Sequence, residues 1–273
     1  FSFDRQTGVT LEPRTILAEF DPRLRQLTVH HSHQVPFQMR DVFATQLGLP
    51  LANVRVVTPD VGGAFGMKLA AYPDEMAVAA IAVLLGRPVK FCADRLESFL
   101  SDNHAREAKV HGRLAVDQDG KMMALEVSVT CGFGAYAAYP RGSIGDGMHA
   151  VHMQAAPYRL ANFRGRVRGY YQNKAPSGIL RAVGQPIATT VTEQLLDLAA
   201  RQLNIDPGEI RRRNYTDTTA APARSAGGMV LAELSLARCH ERLLELMNYA
   251  GLRQQQSELR QGGVYRGIGL AVF

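Results

Sequence analysis

Tryptophan is absent from this 273-residue chain, and aromatics together make up 7% of it, so its cores must be packed with Ala, Leu, Val and Met. Cysteine is scarce too. Cys92, Cys131 and Cys239 lie far apart and in no metal-ligand spacing, which excludes a disulfide-stapled scaffold and a cysteine-based zinc module. This sparse, odd count fits a reducing compartment, so a cytoplasmic location is expected, with the periplasm as the alternative. No apolar run approaches the roughly 18 residues of a membrane span, and no stretch has the organisation of a signal peptide. The most apolar segment, Met76–Leu85, is short and has polar flanks. Low-complexity tracts are missing. Acidic residues are the minority: 25 Asp and Glu face 31 Lys and Arg, for a formal charge of +6. The arginines are scattered without an aromatic-interleaved stripe, so no nucleic-acid partner is expected. An anionic small molecule accounts for the bias as well, because Arg recognises carboxylate and phosphate through two parallel hydrogen bonds. An initiating Met is also missing, and the chain stops inside an apolar, strand-like run, Gly267–Phe273. Both ends are expected to be cuts in a longer polypeptide.

What is present reads as alternating strands and helices. Leu27–His31, Val54–Val57 and Arg87–Cys92 have strand character. Phe37–Leu47, stopped by Gly48, and Asp74–Leu85, stopped by Gly86, have helical spacing. Ala108–Val116 and Lys121–Thr130 alternate around Asp119-Gly120 and predict an antiparallel hairpin. Gly132–Gly147 is too irregular to assign. Arg164–Tyr171 predicts a strand and Thr190–Leu203 an amphipathic helix. Asp206-Pro207-Gly208-Glu209 predicts a helix start, with Asp206 as cap, Glu209 reaching back to it, and Arg211–Arg213 at the helix end. Thr216–Gly228 reads as a loop and Ala232–Met247 as a last helix. The rhythm of strand, loop and long helix occurs twice, over 27–85 and 164–203. Sub-repeats of about 14–160 and 161–273 within one 1–273 lobe are therefore expected.

Three loops carry the chemistry-bearing residues. The first is Thr58-Pro59-Asp60-Val61-Gly62-Gly63-Ala64-Phe65-Gly66-Met67-Lys68. Its three glycines permit positive φ and leave backbone N–H groups uncovered, which suits an anionic group; a tight strand-to-helix connection is the plain alternative. The second is His30-His31-Ser32-His33-Gln34. His31 and His33 on one strand face offer a zinc-chelating pair, while the plainer reading sets strand-end histidines on a polar rim. The third runs from Asn173 to Pro186 and holds Arg181 between apolar neighbours, as either an ion-pair anchor or an anion ligand.

Together these stretches resemble the molybdenum hydroxylases, the family of xanthine dehydrogenase, aldehyde oxidase and aerobic carbon monoxide dehydrogenase, in their molybdopterin-binding large subunit. Leu11-Glu12-Pro13-Arg14, Ser32-His33-Gln34, Asp60–Lys68, Asn173-Lys174 through Arg181, and Leu196–Arg201 with Asp206-Pro207 and Arg211–Asn214 carry the resemblance, in family order. It implies an α+β fold: two-layer lobes with mixed sheets and helices on one face. It implies that Gln34 hydrogen-bonds an oxygen ligand of molybdenum and that the Phe65 N–H faces the metal's oxo group. Gly62, Gly63, Ala64 and Gly66 would make room for the cofactor, and Arg181 would line the site, buried. No side chain would ligate the metal directly. It further implies a molybdopterin cofactor, mononucleotide or dinucleotide. The remaining half of the subunit, 2Fe-2S and FAD on partner subunits or domains, and a small-molecule substrate would complete an oligomeric complex.

The departures narrow the activity. Leu69 stands where purine-hydroxylating members carry a substrate-binding glutamate, and Val183 where an aromatic ring often stacks on substrate. His149 aligns with a substrate-contacting arginine of the purine enzymes. Ala182 replaces the cysteine that holds copper in the carbon monoxide enzymes. Xanthine and carbon monoxide are thus disfavoured, and an aldehyde or N-heterocyclic aromatic substrate is expected. The family's catalytic glutamate lies in a Gly-x-Gly-Glu motif that this chain lacks, so no catalytic residue is assigned here and the chain alone is expected to be inactive. Two rival readings are a non-catalytic split scaffold for a partner chain, and a zinc enzyme using His30, His31 and His33.

Overall fold

The computed structural model describes residues 1–219 and 221–272. Its path is β1 (Ser2–Phe3), β2 (Thr15–Asp21), β3 (Gln26–His31), α1 (Pro36–Leu47), β4 (Val54–Val57), α2 (Pro73–Leu85), β5 (Val89–Cys92), α3 (Arg95–Ser101), β6 (Ala108–Val116), β7 (Met122–Gly132), α4 (Gly145–His152), β8 (Asn162–Tyr170), α5 (Gln185–Leu203), α6 (Pro207–Asn214), β9 (Ala223–Arg224), β10 (Val230–Leu231), α7 (Leu236–Leu246) and α8 (Tyr249–Gln261). One sheet has the order β4-β3-β2-β5 and a second β1-β6-β7-β8. Each is mixed, with a single parallel pair at one edge, β3 with β4 and β7 with β8. The fold is α+β, as expected.

Strand alternation and helix periodicity explain both cores. Ile16, Ala18, Leu27 and Val29 point from the first sheet onto Met39, Val42 and Phe43 of α1 and Val78, Ala79 and Ala82 of α2. Val110, Leu125, Val127 and Val129 of the second sheet meet Ala150 of α4 and Ile187, Val191 and Leu196 of α5. With aromatics so scarce, small side chains let helix and sheet approach closely, each burial stabilising in proportion to the apolar area removed from water. Each half follows one route: an antiparallel hairpin, a helix, a parallel edge strand, then a second helix, over 15–85 and 108–203. A division near residue 160 falls between β7 and β8, which pair along nine residues of each strand.

Several local readings need correction. α3 forms where no helix is expected, started by a capping box between Asp94 and Glu97. α4 occupies the end of the irregular Gly132–Gly147 stretch and continues beyond it. α5 begins at Gln185, five residues earlier than its apolar spacing suggests, because Pro186 fits the first turn. Asp206 caps α6 as expected, its side chain accepting from the Gly208 and Glu209 N–H groups. Glu209 instead pairs with Arg212 and Arg213, both at 2.7 Å. Arg211 does not sit at the helix end in solvent; it is buried against Glu193 and Asp197. The loop at 216–228 contains β9, which pairs with β10; its Ala220 lies outside the described residues. The last helix starts only at Leu236, and α8 follows it with no strong apolar stripe to announce it. Residues 267–272 form no strand, since no strand pairs with them, and Phe273 lies outside the described residues. Arg164, Arg166 and Arg168 are not scattered but alternate along one outward face of β8. Among the described residues no helix is long and apolar enough to cross a membrane.

Candidate functional site

The glycine loop leaves β4 and doubles back through three residues of positive φ: Gly63 at 98°, Phe65 at 52° and Gly66 at 97°. Phe65 is the informative one, because a bulky residue in the left-handed region stores strain that concentrates at functional sites. Its side chain is 44% exposed, so core packing does not account for it. Gly66 is required twice over: its φ excludes other residues, and a Cβ there would sit 2.8 Å from the Ile179 carbonyl oxygen. Among the described residues, neither the Ala64 nor the Phe65 N–H has a hydrogen-bond partner. The neighbouring N–H groups are used: Gly62 donates to Glu12 Oε2 at 2.6 Å and Gly66 to Gln34 Oε1 at 3.0 Å.

That second bond joins the histidine loop to the glycine loop. Gln34 also donates its own N–H to the Lys68 carbonyl at 2.9 Å. Its Oε1 being engaged, the exposed amide presents its Nε2 donors outward. The third loop joins through Arg181, whose N–H donates to the Phe65 carbonyl at 2.8 Å. Ala182, next in the chain, is again a non-glycine residue at positive φ, 62°. Arg181 is exposed, contrary to the expectation of a buried arginine; its guanidinium has no protein partner among the described residues. The Arg181 carbonyl is held by the Arg106 guanidinium. Buried Asp146 of α4 fixes the end of this loop, accepting from the Gly184 N–H at 2.8 Å and the Arg106 N–H at 2.9 Å.

The structure therefore gathers Gln34, the 62–66 loop and Arg181 through direct bonds. His149 joins from α4, whose backbone packs against Gly184. The His149 ring is exposed, with Nδ1 donating to the Gly145 carbonyl at 2.8 Å. Val183, next to Gly184 in the chain, is half-buried. Leu69 lines a small cavity with Gly66, Asn103, Ala138, Arg141 and Ile179.

The histidines lie apart from this exposed face. His31 and His33 are both 1% exposed and stack at 4.5 Å, which removes them from any polar rim. Their ligand atoms cluster with those of buried Glu75. This set is nonetheless poorly suited to zinc. His33 donates from Nε2 to the Ala70 carbonyl at 3.1 Å and accepts the Val35 N–H at Nδ1, so neither nitrogen is free. Glu75 is committed to Arg14, and His31 Nε2 lies 3.1 Å from Glu75 Oε2, within ion-pair distance but off the line of a hydrogen bond. His30 points to the exposed side of β3. Burial, with His31 as neighbour, pushes the His33 pKa down to about 4. The folded state then refuses a proton that the unfolded chain accepts below about pH 6.5. Stability falls between pH 6.5 and about 4, by about 3 kcal/mol from this group. Unfolding measured across that range on wild type and His33→Gln will show a shallower slope in the variant.

Two charged side chains missed by sequence reasoning organise the ground beneath the site. Lys68, 1% exposed, donates to the Glu12 carbonyl at 2.9 Å, to Glu12 Oε2 at 3.0 Å and to Ser32 Oγ at 2.8 Å. Arg14, also 1% exposed, contacts Asp74, Glu75 and Asp102 and lies 3.8 Å over the Tyr72 ring. The carboxylates hold the Arg14 pKa above its ordinary value against the opposing effect of burial. Both lie in motif stretches, yet their partners are too distant in sequence for any spacing rule to reveal.

The molybdopterin cofactor-binding domain profile matches residues 1–215. The carbon monoxide dehydrogenase large chain of Hydrogenophaga pseudoflava is 31% identical, over 96% of this chain and 33% of its own. The nicotine 6-hydroxylase large subunit of Paenarthrobacter nicotinovorans is 30% identical, over 98% of this chain and 33% of its own. Among solved structures, quinoline 2-oxidoreductase from Pseudomonas putida 86 superposes with a TM-score of 0.95 at 33% identity, covering 100% of this chain and 35% of its own. The chain thus spans about a third of the length of these relatives. A matching profile over most of the chain, and full-length agreement in fold, make this chain a member of the molybdenum hydroxylase family, in its molybdopterin cofactor-binding domain.

Proposed function

We infer that this chain holds the molybdenum cofactor of a hydroxylase that oxidises an N-heterocyclic aromatic compound or an aldehyde with water-derived oxygen. One observation carries the reading: the Ala64 and Phe65 N–H groups, the outward Gln34 amide and the free Arg181 guanidinium come from three loops bonded to one another, and the protein supplies none of them with an acceptor among the described residues. This donor set suits an oxygen-rich anionic group, and the Gly66 backbone lets the loops approach as closely as such a group needs. When bound, the cofactor supplies the two-electron oxidation and delivers water-derived oxygen to carbon. Gln34 Nε2 would donate to an oxygen ligand, and the Ala64 and Phe65 N–H groups would hydrogen-bond the same end. Gly62 and Gly63 would keep the loop backbone open, and Arg181 would offset negative charge nearby.

On the substrate side, Leu69 offers no carboxylate for a purine, Val183 no ring to stack and Ala182 no thiol for copper. The likeness to the carbon monoxide dehydrogenase large chain therefore does not bring that activity with it. Relatives named for nicotine and quinoline point to an N-heterocycle. The catalytic glutamate, the 2Fe-2S clusters and FAD would come from the rest of the assembly, leaving this chain alone inactive. Molybdenum and pterin analysis of the complete assembly, followed by turnover of quinoline, nicotinate, benzaldehyde and xanthine with an artificial acceptor, tests this. Expected are bound molybdenum, labelled oxygen from water in the product, and turnover of an N-heterocycle or aldehyde with little xanthine oxidation. An assembly without molybdenum sinks the reading; oxidation of an aldehyde by the isolated chain sinks the half-site.

A further inference from the structure

A buried lysine is costly, because its ammonium loses hydration that only close partners can replace. Lys68 belongs to neither hydrophobic core. Its three ammonium donors all go to the Glu12 and Ser32 segments, and its carbonyl accepts the Gln34 N–H. Glu12 passes the restraint on. Its carboxylate accepts the Gly62 N–H at 2.6 Å and the Ser32 hydroxyl at 2.9 Å, and its own N–H donates to the Gly62 carbonyl at 3.0 Å. The glycine loop is therefore tied at both ends to one residue: at Gly62 through Glu12, which takes the Lys68 ammonium, and at Gly66 through Gln34, whose N–H is bonded to the Lys68 main-chain carbonyl and whose segment the ammonium grips at Ser32. Between those ties lie the two unpartnered N–H groups of Ala64 and Phe65.

We propose that Lys68, acting with Glu12, is a positioning residue that sets the Gln34 amide and the Ala64 and Phe65 N–H donors at one fixed separation, so that they engage the cofactor together. It touches none of the reacting atoms. The inference rests on the molybdenum reading above and adds the element that holds its donor set in register. Loosening the clamp frees the loop to relax the positive φ of Phe65, and the donors diverge. Loss of such a supporting contact costs on the order of 10- to 100-fold in affinity or activity.

The complete assembly carrying Lys68→Met, Glu12→Ala or Glu12→Gln, compared with wild type, tests the proposal through thermal unfolding, molybdenum and pterin content, the Mo(V) electron paramagnetic resonance spectrum and the separation of kcat from KM. Glu12→Gln keeps an oxygen to accept from Lys68 and Gly62, so it should retain cofactor and spectrum. Lys68→Met, which leaves only the part-exposed Glu12 carboxylate, should melt near wild type, and Glu12→Ala, which strands the buried ammonium, below it. Both should lose cofactor on the order of tenfold or more, or carry a shifted spectrum with a fall in kcat at unchanged KM. Full cofactor content, an unshifted spectrum and wild-type kcat in both overturn the proposal. Equal losses in Glu12→Gln and Glu12→Ala, tracking a fall in melting temperature, also overturn it, because they mark a purely structural role. A wild-type assembly without molybdenum overturns the underlying reading instead, and so is told apart.

Discussion

Arg14→Met will destabilise the protein by about 3–5 kcal/mol, the cost of removing one partner from a buried ion-pair cluster. The guanidinium is shared between Asp74 at 2.6 Å, Glu75 at 3.1 Å and Asp102 at 2.6 Å, and Ser101 accepts a further bond at 2.9 Å. Methionine can fill the volume over Tyr72 but leaves Glu75, wholly buried, and Asp102, nearly so, without the guanidinium they share. The deficit has a signature in pH. Uncompensated carboxylates favour their protonated form, so the gap between variant and wild type will narrow as pH falls. Chemical unfolding of both proteins at pH 8 and pH 5 measures this. A deficit below about 1 kcal/mol, or one that widens on acidification, shows that Arg14 is not the counter-charge of that cluster.

Gly66→Ala will have the largest effect on the site itself. A Cβ at this position meets the Ile179 carbonyl oxygen at 2.8 Å and its carbon at 3.1 Å, and the φ of 97° is closed to alanine. Backbone strain alone costs about 1–3 kcal/mol. The contact is backbone against backbone, so no side chain can swing away, and relief must come from moving the loop off the 179–182 segment. That movement breaks the Gly66–Gln34 and Arg181–Phe65 bonds together. Cofactor content should collapse, with loss of activity of about 100-fold or more, in the range seen when one oriented backbone or amide donor is removed from a reacting oxygen. Gly48→Ala is the control. It also lies at positive φ, 63°, but nothing stands within 4 Å; it should cost about 1–2 kcal/mol and leave cofactor content unchanged. Equal cofactor content in the two variants would show that the close approach at Gly66 is dispensable.

What could be read from the sequence was what local patterns encode. The Val54–Val57 strand, the helices ending at Gly48 and Gly86, the hairpin around Asp119-Gly120 and the Asp206 cap each rest on residues within a few positions of one another, and each is present. α4 and α8 escaped for opposite reasons. Gly145 and Gly147 mask the first by low propensity, overridden by packing against β7 and β8, while the second is polar nearly all round. At the site, the glycine loop and Gln34 were visible as motifs, but the bond between them was not, nor was the exposure of Arg181. The Lys68–Glu12 and Arg14–Asp102 pairs span 56 and 88 residues. Nothing short of the fold brings such charges together, although Glu12, Arg14 and Lys68 each stand in a stretch that carries the resemblance.

Those separations also bear on the order in which the molecule takes shape. Each half can close its hairpin and seat its helices through contacts near in sequence, which form quickly. The bond from the Arg181 N–H to the Phe65 carbonyl, and the close approach of Ile179 to Gly66, join one half to the other and need both in place first. The meeting of the loops thus comes late in folding: a chain can own two finished cores and still have no cradle between them.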